Sequence, residues 1–188
     1  MAMPAIENRR WTVEEVHAIP EDGNRYECID GELFVSPSPT RAHQRAALLL
    51  SYTLRAYSEL AEQVGWVWVA PSDLILSPWT IVQPDVRVHA AGPKASAAEV
   101  AASSLLIVEI LSPSTARLDR HQKRRLFMSG PTALYWIVDL ASEMVEVWTP
   151  GNEQPFIVTD TLRWQPRGAS APFSLQLAPF FADVNAWQ

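Results

Sequence analysis

The stretch Leu105-Leu106-Ile107-Val108-Glu109-Ile110-Leu111 decides the fold class. Its residues are apolar at both alternating positions, which is typical of a strand buried on both faces of a sheet. Ser112-Pro113-Ser114-Thr115 follows and predicts a helix with Thr115 as its N-cap, running to about Met128 and ending at Gly130-Pro131. The strand pattern of residues 134–138 comes next. A strand, a crossover helix and a second strand indicate an α/β domain built around a mixed sheet.

Other segments carry helix or strand patterns of their own. Asp30-Gly31 is a favoured two-residue turn between the β-rich stretches 26–29 and 32–35, so a hairpin is predicted there. Apolar residues at helical spacing predict a helix over residues 41–64. The remaining predicted strands are residues 66–69, 74–76, 85–89, 144–148 and 156–159. Residues 1–24 are predicted to form an N-terminal arm with a short helix near 12–18, and residues 25–188 a single domain.

Composition restricts the possible functions. The 188 residues are 48% apolar and carry a net charge of −6, which suits a globular protein and counts against non-specific nucleic-acid binding over the whole surface. The single cysteine, Cys28, excludes an internal disulfide and a thiolate-rich metal site. Neither a secretory signal nor an apolar stretch of ~18 residues is present, so we expect a cytoplasmic protein with no membrane segment. Glycine-rich phosphate loops and Gly-x-Ser-x-Gly motifs are also absent, which disfavours kinases and the common serine hydrolases.

Glu109 is the most informative polar residue, because it interrupts the most apolar strand of the chain. One interpretation places its carboxylate at the strand end, in solvent; the other buries it against a metal ion or a lysine. Asp85, which follows Pro84, is either a turn residue or a neighbour of Glu109 on the adjacent strand. Two adjacent carboxylates repel each other unless a cation joins them, and Mg²⁺ binds oxygen ligands of this kind.

The helix after Glu109 is rich in basic residues. Asp119 is the one acidic residue among Arg117, Arg120, Lys123, Arg124 and Arg125, which leaves a local excess of four positive charges. A solvated basic face with an Asp119–Lys123 pair is one interpretation. A positive helix beside an acidic metal site, as phosphodiester cleavage requires, is the other.

Two weaker candidates lie earlier in the chain. His43, in the first turn of the long helix, is a candidate site residue or a plain capping or core residue. Glu32, just past the hairpin turn, is a candidate acidic residue or a solvent-facing one.

Taken together, these motifs resemble the PD-(D/E)XK phosphodiesterase superfamily, and more closely the Uma2 (Uma-two) family of restriction-endonuclease-like proteins. The resemblance covers nearly the whole chain, and the order and spacing of the motifs make it specific. The matching stretches are residues 26–33 and 36–39 with His43, residues 83–86, residues 108–115 with Asp119 and Lys123, residues 130–139 and residues 175–184.

The resemblance implies a restriction-endonuclease-like mixed β-sheet core flanked by helices. It assigns Asp85 and Glu109 as metal-binding carboxylates, with the backbone carbonyl of Ile110 as a further ligand. The superfamily lysine normally stands two residues after the glutamate, where this chain has Leu111. Its role therefore passes to Lys123 on the next helix. Glu32 becomes the acidic residue of the first motif, and His43 a nearby helper.

The resemblance further implies a Mg²⁺- or Mn²⁺-dependent nuclease that acts on DNA, and relatives of this kind often form homodimers. A catalytically inactive endonuclease-like module for binding or assembly is the alternative, and the net charge of −6 favours it. A two-carboxylate glycosidase needs no metal but leaves the basic helix without a role.

Overall fold

A computed structural model describes residues 9–93, 96, 100 and 103–186. The helices are α1 (Val13–His17), α2 (Arg41–Ser58), a π-helical segment (Leu118–Lys123) that continues into α3 (Arg124–Ser129), and α4 (Leu177–Asn185). The strands are β1 (Arg25–Ile29), β2 (Glu32–Ser36), β3 (Val64–Val69), β4 (Leu74–Ser77), β5 (Thr80–Val82), β6 (Val86–Ala90), β7 (Ser104–Ile110), β8 (Tyr135–Asp139), β9 (Met144–Trp148), β10 (Phe156–Val158), β11 (Thr161–Trp164) and β12 (Phe173–Gln176).

A mixed sheet in the order β10-β9-β8-β7-β6-β3 forms the centre of the molecule. Strands β7 and β8 are parallel, with Ile107 opposite Tyr135, whereas the other neighbours in this sheet run antiparallel. Almost every residue of β7 and all of β8 are buried. The predicted doubly covered central strand and the mixed α/β fold are therefore confirmed.

The crossover between β7 and β8 is helical over residues 116–129 and ends before Gly130, as predicted. The regular helix begins at Ala116, directly after the predicted N-cap Thr115, and a further turn from Ser112 to Thr115 precedes it. Ser112 Oγ accepts from the Thr115 N–H at 3.2 Å, and Thr115 Oγ1 accepts from the Ser112 N–H at 3.4 Å. This reciprocal arrangement is similar to a capping box, and Pro113 fits in the turn because proline has no N–H that needs a partner.

A second sheet, in the order β2-β1-β5-β4, carries the predicted hairpin. Asp30 and Gly31 have φ values of 52° and 87°, as a type I′ turn requires, and Ile29 pairs with Glu32. Strand β5 pairs with β1 but was not predicted, since a three-residue strand is too short to show alternation.

The long helix α2 ends at Ser58 rather than at residue 64, so the predicted end is wrong. Val64 is buried, which extends the helical spacing, but it begins strand β3 and pairs with Ala90. A Cβ on Gly65 would lie 2.8 Å from the carbonyl oxygen of Ala90, so this glycine permits the close approach of β3 to β6.

Packing on the two faces of the central sheet fixes where the site lies. Helices α2 and α4 share one core cluster with inward-facing valines of β6 and β7. Phe127 of α3, Ile29 of β1 and Tyr135 belong to a cluster on the other face. Helix α1 packs Val13 and Val16 against Cys28 of the hairpin. In the described part of the chain, no helix combines the length and apolar character needed to cross a membrane.

Candidate functional site

Strand register brings Asp85 and Glu109 side by side. Val86 of β6 pairs with Val108 of β7, and extending this antiparallel register by one position places Asp85 opposite Glu109. Opposed residues of an antiparallel pair project from the same face of the sheet. Both residues are buried, Asp85 at 2% and Glu109 at 1% exposure. The interpretation of Glu109 as a solvated strand end is therefore wrong.

Lys123 lies inside this acidic group and not on a solvated helix face. Its Nζ is 2.8 Å from Glu27 Oε1, 2.9 Å from Glu109 Oε1 and 3.6 Å from Asp119 Oδ1, and the residue is 1% exposed. Both Asp119 and Lys123 belong to the π-helical segment, and both are buried. Such wider turns occur often at functional sites.

Asp85 is held by donors from three different elements. Arg25 Nη1 lies 3.0 Å from its Oδ1, while His43 Nε2 lies 2.9 Å from its Oδ2. The backbone N–H of Ile110 donates to the same Oδ2 at 2.8 Å. The structure thus places His43 beside Asp85, as the resemblance implied, whereas the Ile110 N–H contact was not predicted; metal ligation by the Ile110 carbonyl stays a prediction.

The hairpin supplies Glu27 to the cluster, whereas Glu32 stays outside it. Glu27 is buried at 1% exposure and accepts from the Gln83 N–H at 2.6 Å, but Glu32 is exposed beside the turn. Both carboxylates lie on one face of the hairpin, since Glu27 alternates with Ile29 and Ile29 pairs with Glu32. The position of Glu32 at the turn end keeps it from the site. The sequence analysis missed Glu27 and Arg25; they alternate with the apolar Ile29 on the same strand face, and that pattern could have identified them.

Burial and charge set the protonation of the cluster. Burial raises the pKa of Glu109 well above its usual value, with Lys123 opposing this and the neighbouring carboxylates adding to it. Burial likewise raises the pKa of Asp119 to about 6. Burial also acts on Asp85, but His43, Arg25 and the Ile110 N–H outweigh it and lower its pKa to about 2. The nearby carboxylates outweigh desolvation at Lys123 and raise its pKa, so it stays protonated.

Carboxyl groups outnumber the permanent cations in this buried cluster. Those of Glu27, Asp85, Glu109 and Asp119 face Lys123 and Arg25. If all four were ionised, two negative charges would lack a permanent counterpart. Burial counters this by raising the pKa of Glu109 and Asp119, and a bound divalent cation would supply the two charges instead.

The donor set suits a hard cation that retains water. Across residues 9–93, 96, 100 and 103–186, no group of three or more His, Cys, Asp or Glu side chains is arranged to hold a metal ion. Mg²⁺ is commonly bound through only one or two carboxylates, with water filling its other positions. Two opposed carboxylates on β6 and β7 therefore fit Mg²⁺ or Mn²⁺ and fit poorly a metal that needs a closed protein ligand set.

A cavity of about 180 Å³ opens onto the cluster. The start of α2 at Thr40 and the capped turn of Ser112–Thr115 form part of its wall. The first N–H groups of a helix carry partial positive charge and bind phosphate oxygens well. The cavity therefore joins buried carboxylates to two helix starts that favour an anion.

The positive helix surface predicted from the sequence is neutralised in part. Arg120 contacts Asp139 at 2.9 Å and Glu146 at 2.7 Å, and Lys123 is buried. The Arg124 guanidinium lies 4.5 Å from the centre of the Trp148 ring. The predicted local excess of four positive charges is reduced, because β8 and β9 supply carboxylates to Arg120 that the local sequence does not show, while Arg117 and Arg125 stay exposed.

Comparisons with known proteins identify a family and a similar fold. The Uma2 family model, described as "Putative restriction endonuclease", matches residues 13–179. No curated protein matches the chain. A crystal structure of a "putative nuclease belonging to DUF820" from Anabaena variabilis is similar, with a TM-score of 0.74 and 20% identity over 93% of this chain and 99% of that one. At this identity, the similarity shows the fold.

Proposed function

The chain belongs to the Uma2 family of restriction-endonuclease-like proteins, and from this premise we propose that it is a metal-dependent nuclease that hydrolyses phosphodiester bonds in DNA. One observation carries the proposal: two buried, opposed carboxyl groups lie beside a buried lysine, in a cluster that has more carboxyl groups than permanent cations and opens to a cavity. A protein with no use for a cation gains little from such a cluster, since apolar residues of similar volume are often as stable.

Asp85 and Glu109 would hold Mg²⁺ or Mn²⁺, with the Ile110 carbonyl as a further ligand. When bound, the ion polarises the scissile phosphate and lowers the pKa of a water ligand. Arg25, His43 and the Ile110 N–H already fix the Asp85 carboxylate in one orientation. Because these contacts already hold the Asp85 side chain in place, binding of the metal ion would cost less conformational entropy.

Lys123 acts as a cation in this proposal and not as a base. The surrounding carboxylates keep it protonated, so its ammonium group can donate but cannot accept a proton. From its position beside Glu109, it would orient the nucleophile or offset charge on the phosphoryl transition state. His43 would help by positioning Asp85, which its Nε2 contacts. Glu32, exposed at the hairpin turn, has no role.

Phosphate attraction would come from backbone groups more than from basic side chains. The starts of α2 and of the crossover helix both line the cavity, and Arg41 is exposed at the first position of α2. These N–H groups attract a phosphate locally without a basic surface. Such an arrangement is compatible with a protein whose net charge is −6.

The test is cleavage of single- and double-stranded DNA with Mg²⁺ or Mn²⁺, with chelated samples as blanks. The chain offers a matched pair of variants, because Glu109 is buried in the cluster and Glu32 is exposed outside it. Glu109→Gln is expected to lose activity by orders of magnitude, as are Asp85→Ala and Lys123→Ala, whereas Glu32→Gln keeps wild-type activity. Equal activity in all variants would indicate a contaminating nuclease and refute the proposal.

A non-catalytic module for binding or assembly is the second candidate. It is favoured by Asp85, both of whose carboxylate oxygens already have protein donors. Titration calorimetry with Mn²⁺ separates the two candidates. Binding that Asp85→Ala abolishes supports the nuclease, and no binding to the wild type supports the module.

We also propose a homodimer, as the resemblance implies. Strands β3 and β10 are the edges of the central sheet, and both carry exposed apolar side chains such as Trp66 and Phe156. Unpaired edges of this kind are prone to association. Light scattering that shows only a monomer would refute this proposal.

A further inference from the structure

A second, larger cavity lies directly beside the one that opens onto the carboxylates. Its volume is about 420 Å³, within the range of small-molecule sites. The two cavities share Arg25, Pro37, Ser38, Pro39, His43 and Asp85. A phosphate bound in the small cavity therefore places the next part of the same nucleotide at the entrance of the large one.

The walls of the larger cavity suit a flat, partly polar ring. Leu48 of α2, Val69 of β3 and Pro71 provide apolar surface, while Gln44 brings a side-chain amide. Gln83 also lines the cavity, but its Nε2 donates to Asp73 at 2.8 Å. Nucleobases are recognised in proteins by apolar faces that cover the ring and by amide or backbone groups at its edges. His43 lines both cavities, and its buried Nδ1 has no hydrogen-bond partner within the described residues.

The depth of the carboxylates disfavours an intact duplex. Asp85 and Glu109 are only 2% and 1% exposed and are reached through a cavity of about 180 Å³. A paired strand keeps its bases stacked inside the duplex, so it cannot place a phosphate in the small cavity and the adjoining base in the large one without losing pairing. An unpaired nucleotide is free to turn its phosphate inward and its base sideways.

We propose that the larger cavity binds an unpaired nucleobase next to the scissile phosphate, so that the substrate is single-stranded DNA or a strand locally freed from its duplex. The inference rests on the proposed nuclease function for the phosphate position. The base site itself is testable without catalysis.

The experiment fills the cavity with an indole and compares a matched variant. Leu48 lines the cavity and is 57% exposed, so Leu48→Trp can occupy it from an open helix face. Leu60 is 77% exposed and lies outside both cavities, so Leu60→Trp is the control. Gln44→Trp, also at an exposed lining position, replaces Leu48→Trp if thermal unfolding shows that the first variant does not fold.

Fluorescence anisotropy in EDTA measures binding of labelled oligothymidylate, alone and paired with oligodeoxyadenylate. The wild type and Leu60→Trp are expected to bind the single strand at least about tenfold more tightly than the duplex, and Leu48→Trp to lose about tenfold in affinity for the single strand. Equal affinity for both forms, or unchanged binding by Leu48→Trp, would overturn the base site.

Cleavage assays with Mg²⁺ on the same oligonucleotides keep the two proposals separate. Selective binding without cleavage would refute the nuclease and retain the base site. Cleavage of single strand and duplex at equal rates would refute the base site and retain the nuclease.

Discussion

Replacing Asp119 with asparagine is expected to stabilise the protein above pH 6. Burial raises the pKa of this carboxyl from 3.8 to about 6. One pKa unit corresponds to about 1.4 kcal/mol, so the ionised carboxylate costs the folded state about 3 kcal/mol relative to the unfolded chain. Asparagine keeps the shape of the side chain and removes the charge. The residue is 2% exposed, so solvent does not reduce this figure substantially.

The sign of the pH dependence follows from the same pKa values. Below pH 3.8 the carboxyl is protonated in both the folded and the unfolded protein, and its charge costs nothing. Between pH 3.8 and about 6 only the folded protein retains the proton, so its stability decreases as the pH rises. Above about pH 6 the cost is complete. Asp119→Asn should therefore gain little in acid, roughly half of the effect near pH 5 and about 3 kcal/mol at neutral pH and above.

Urea denaturation followed by circular dichroism measures these differences across the pH range. Asp160→Asn is the matched control, because Asp160 is exposed and outside the cluster, and it should change the free energy of unfolding very little. A loss of stability in Asp119→Asn at neutral pH would refute the reasoning. It would mean that attraction to Lys123 outweighs the burial of Asp119.

Three further predictions concern the same cluster. Lys123→Met should lower the free energy of unfolding by about 3–5 kcal/mol in urea denaturation, since it leaves Glu27 and Glu109 without their buried cation; a loss below about 1 kcal/mol would contradict the ion pairs. Mg²⁺ should raise the thermal midpoint of the wild type but not that of Asp85→Asn, and an equal rise in both would place the ion elsewhere. Tyr135→Phe should cost about 1 kcal/mol in urea denaturation, because the Tyr135 hydroxyl donates to the Asp119 carbonyl at 3.2 Å, and an unchanged stability would contradict that bond.

The sequence predicted the elements that depend on local patterns. The apolar run that includes Glu109 forms a buried central strand, and Asp30-Gly31 forms the expected hairpin turn. The position of Asp85 opposite Glu109 could also be predicted from the sequence, because both residues belong to stretches with strand patterns. The family resemblance agrees with the match to the Uma2 model.

Contacts between segments that are distant in the sequence could not be predicted from local sequence patterns. Glu27 and Glu32 lie on one face of the same hairpin, and only packing against the crossover helix decides which of them meets Lys123. Arg120 is basic in sequence, yet its carboxylate partners come from strands β8 and β9. In the cluster, Glu27 therefore takes the place predicted for Glu32, and Asp119 is an additional acidic member. The helix surface carries less positive charge than the sequence indicates.

We propose that Asp85 and Glu109 share a divalent cation, and anomalous scattering from a crystal soaked in Mn²⁺ locates such an ion independently of any activity. A peak is expected within oxygen-ligand distance, about 2.0–2.6 Å, of both carboxylates. A fully occupied peak elsewhere, or none between these two residues, would contradict it.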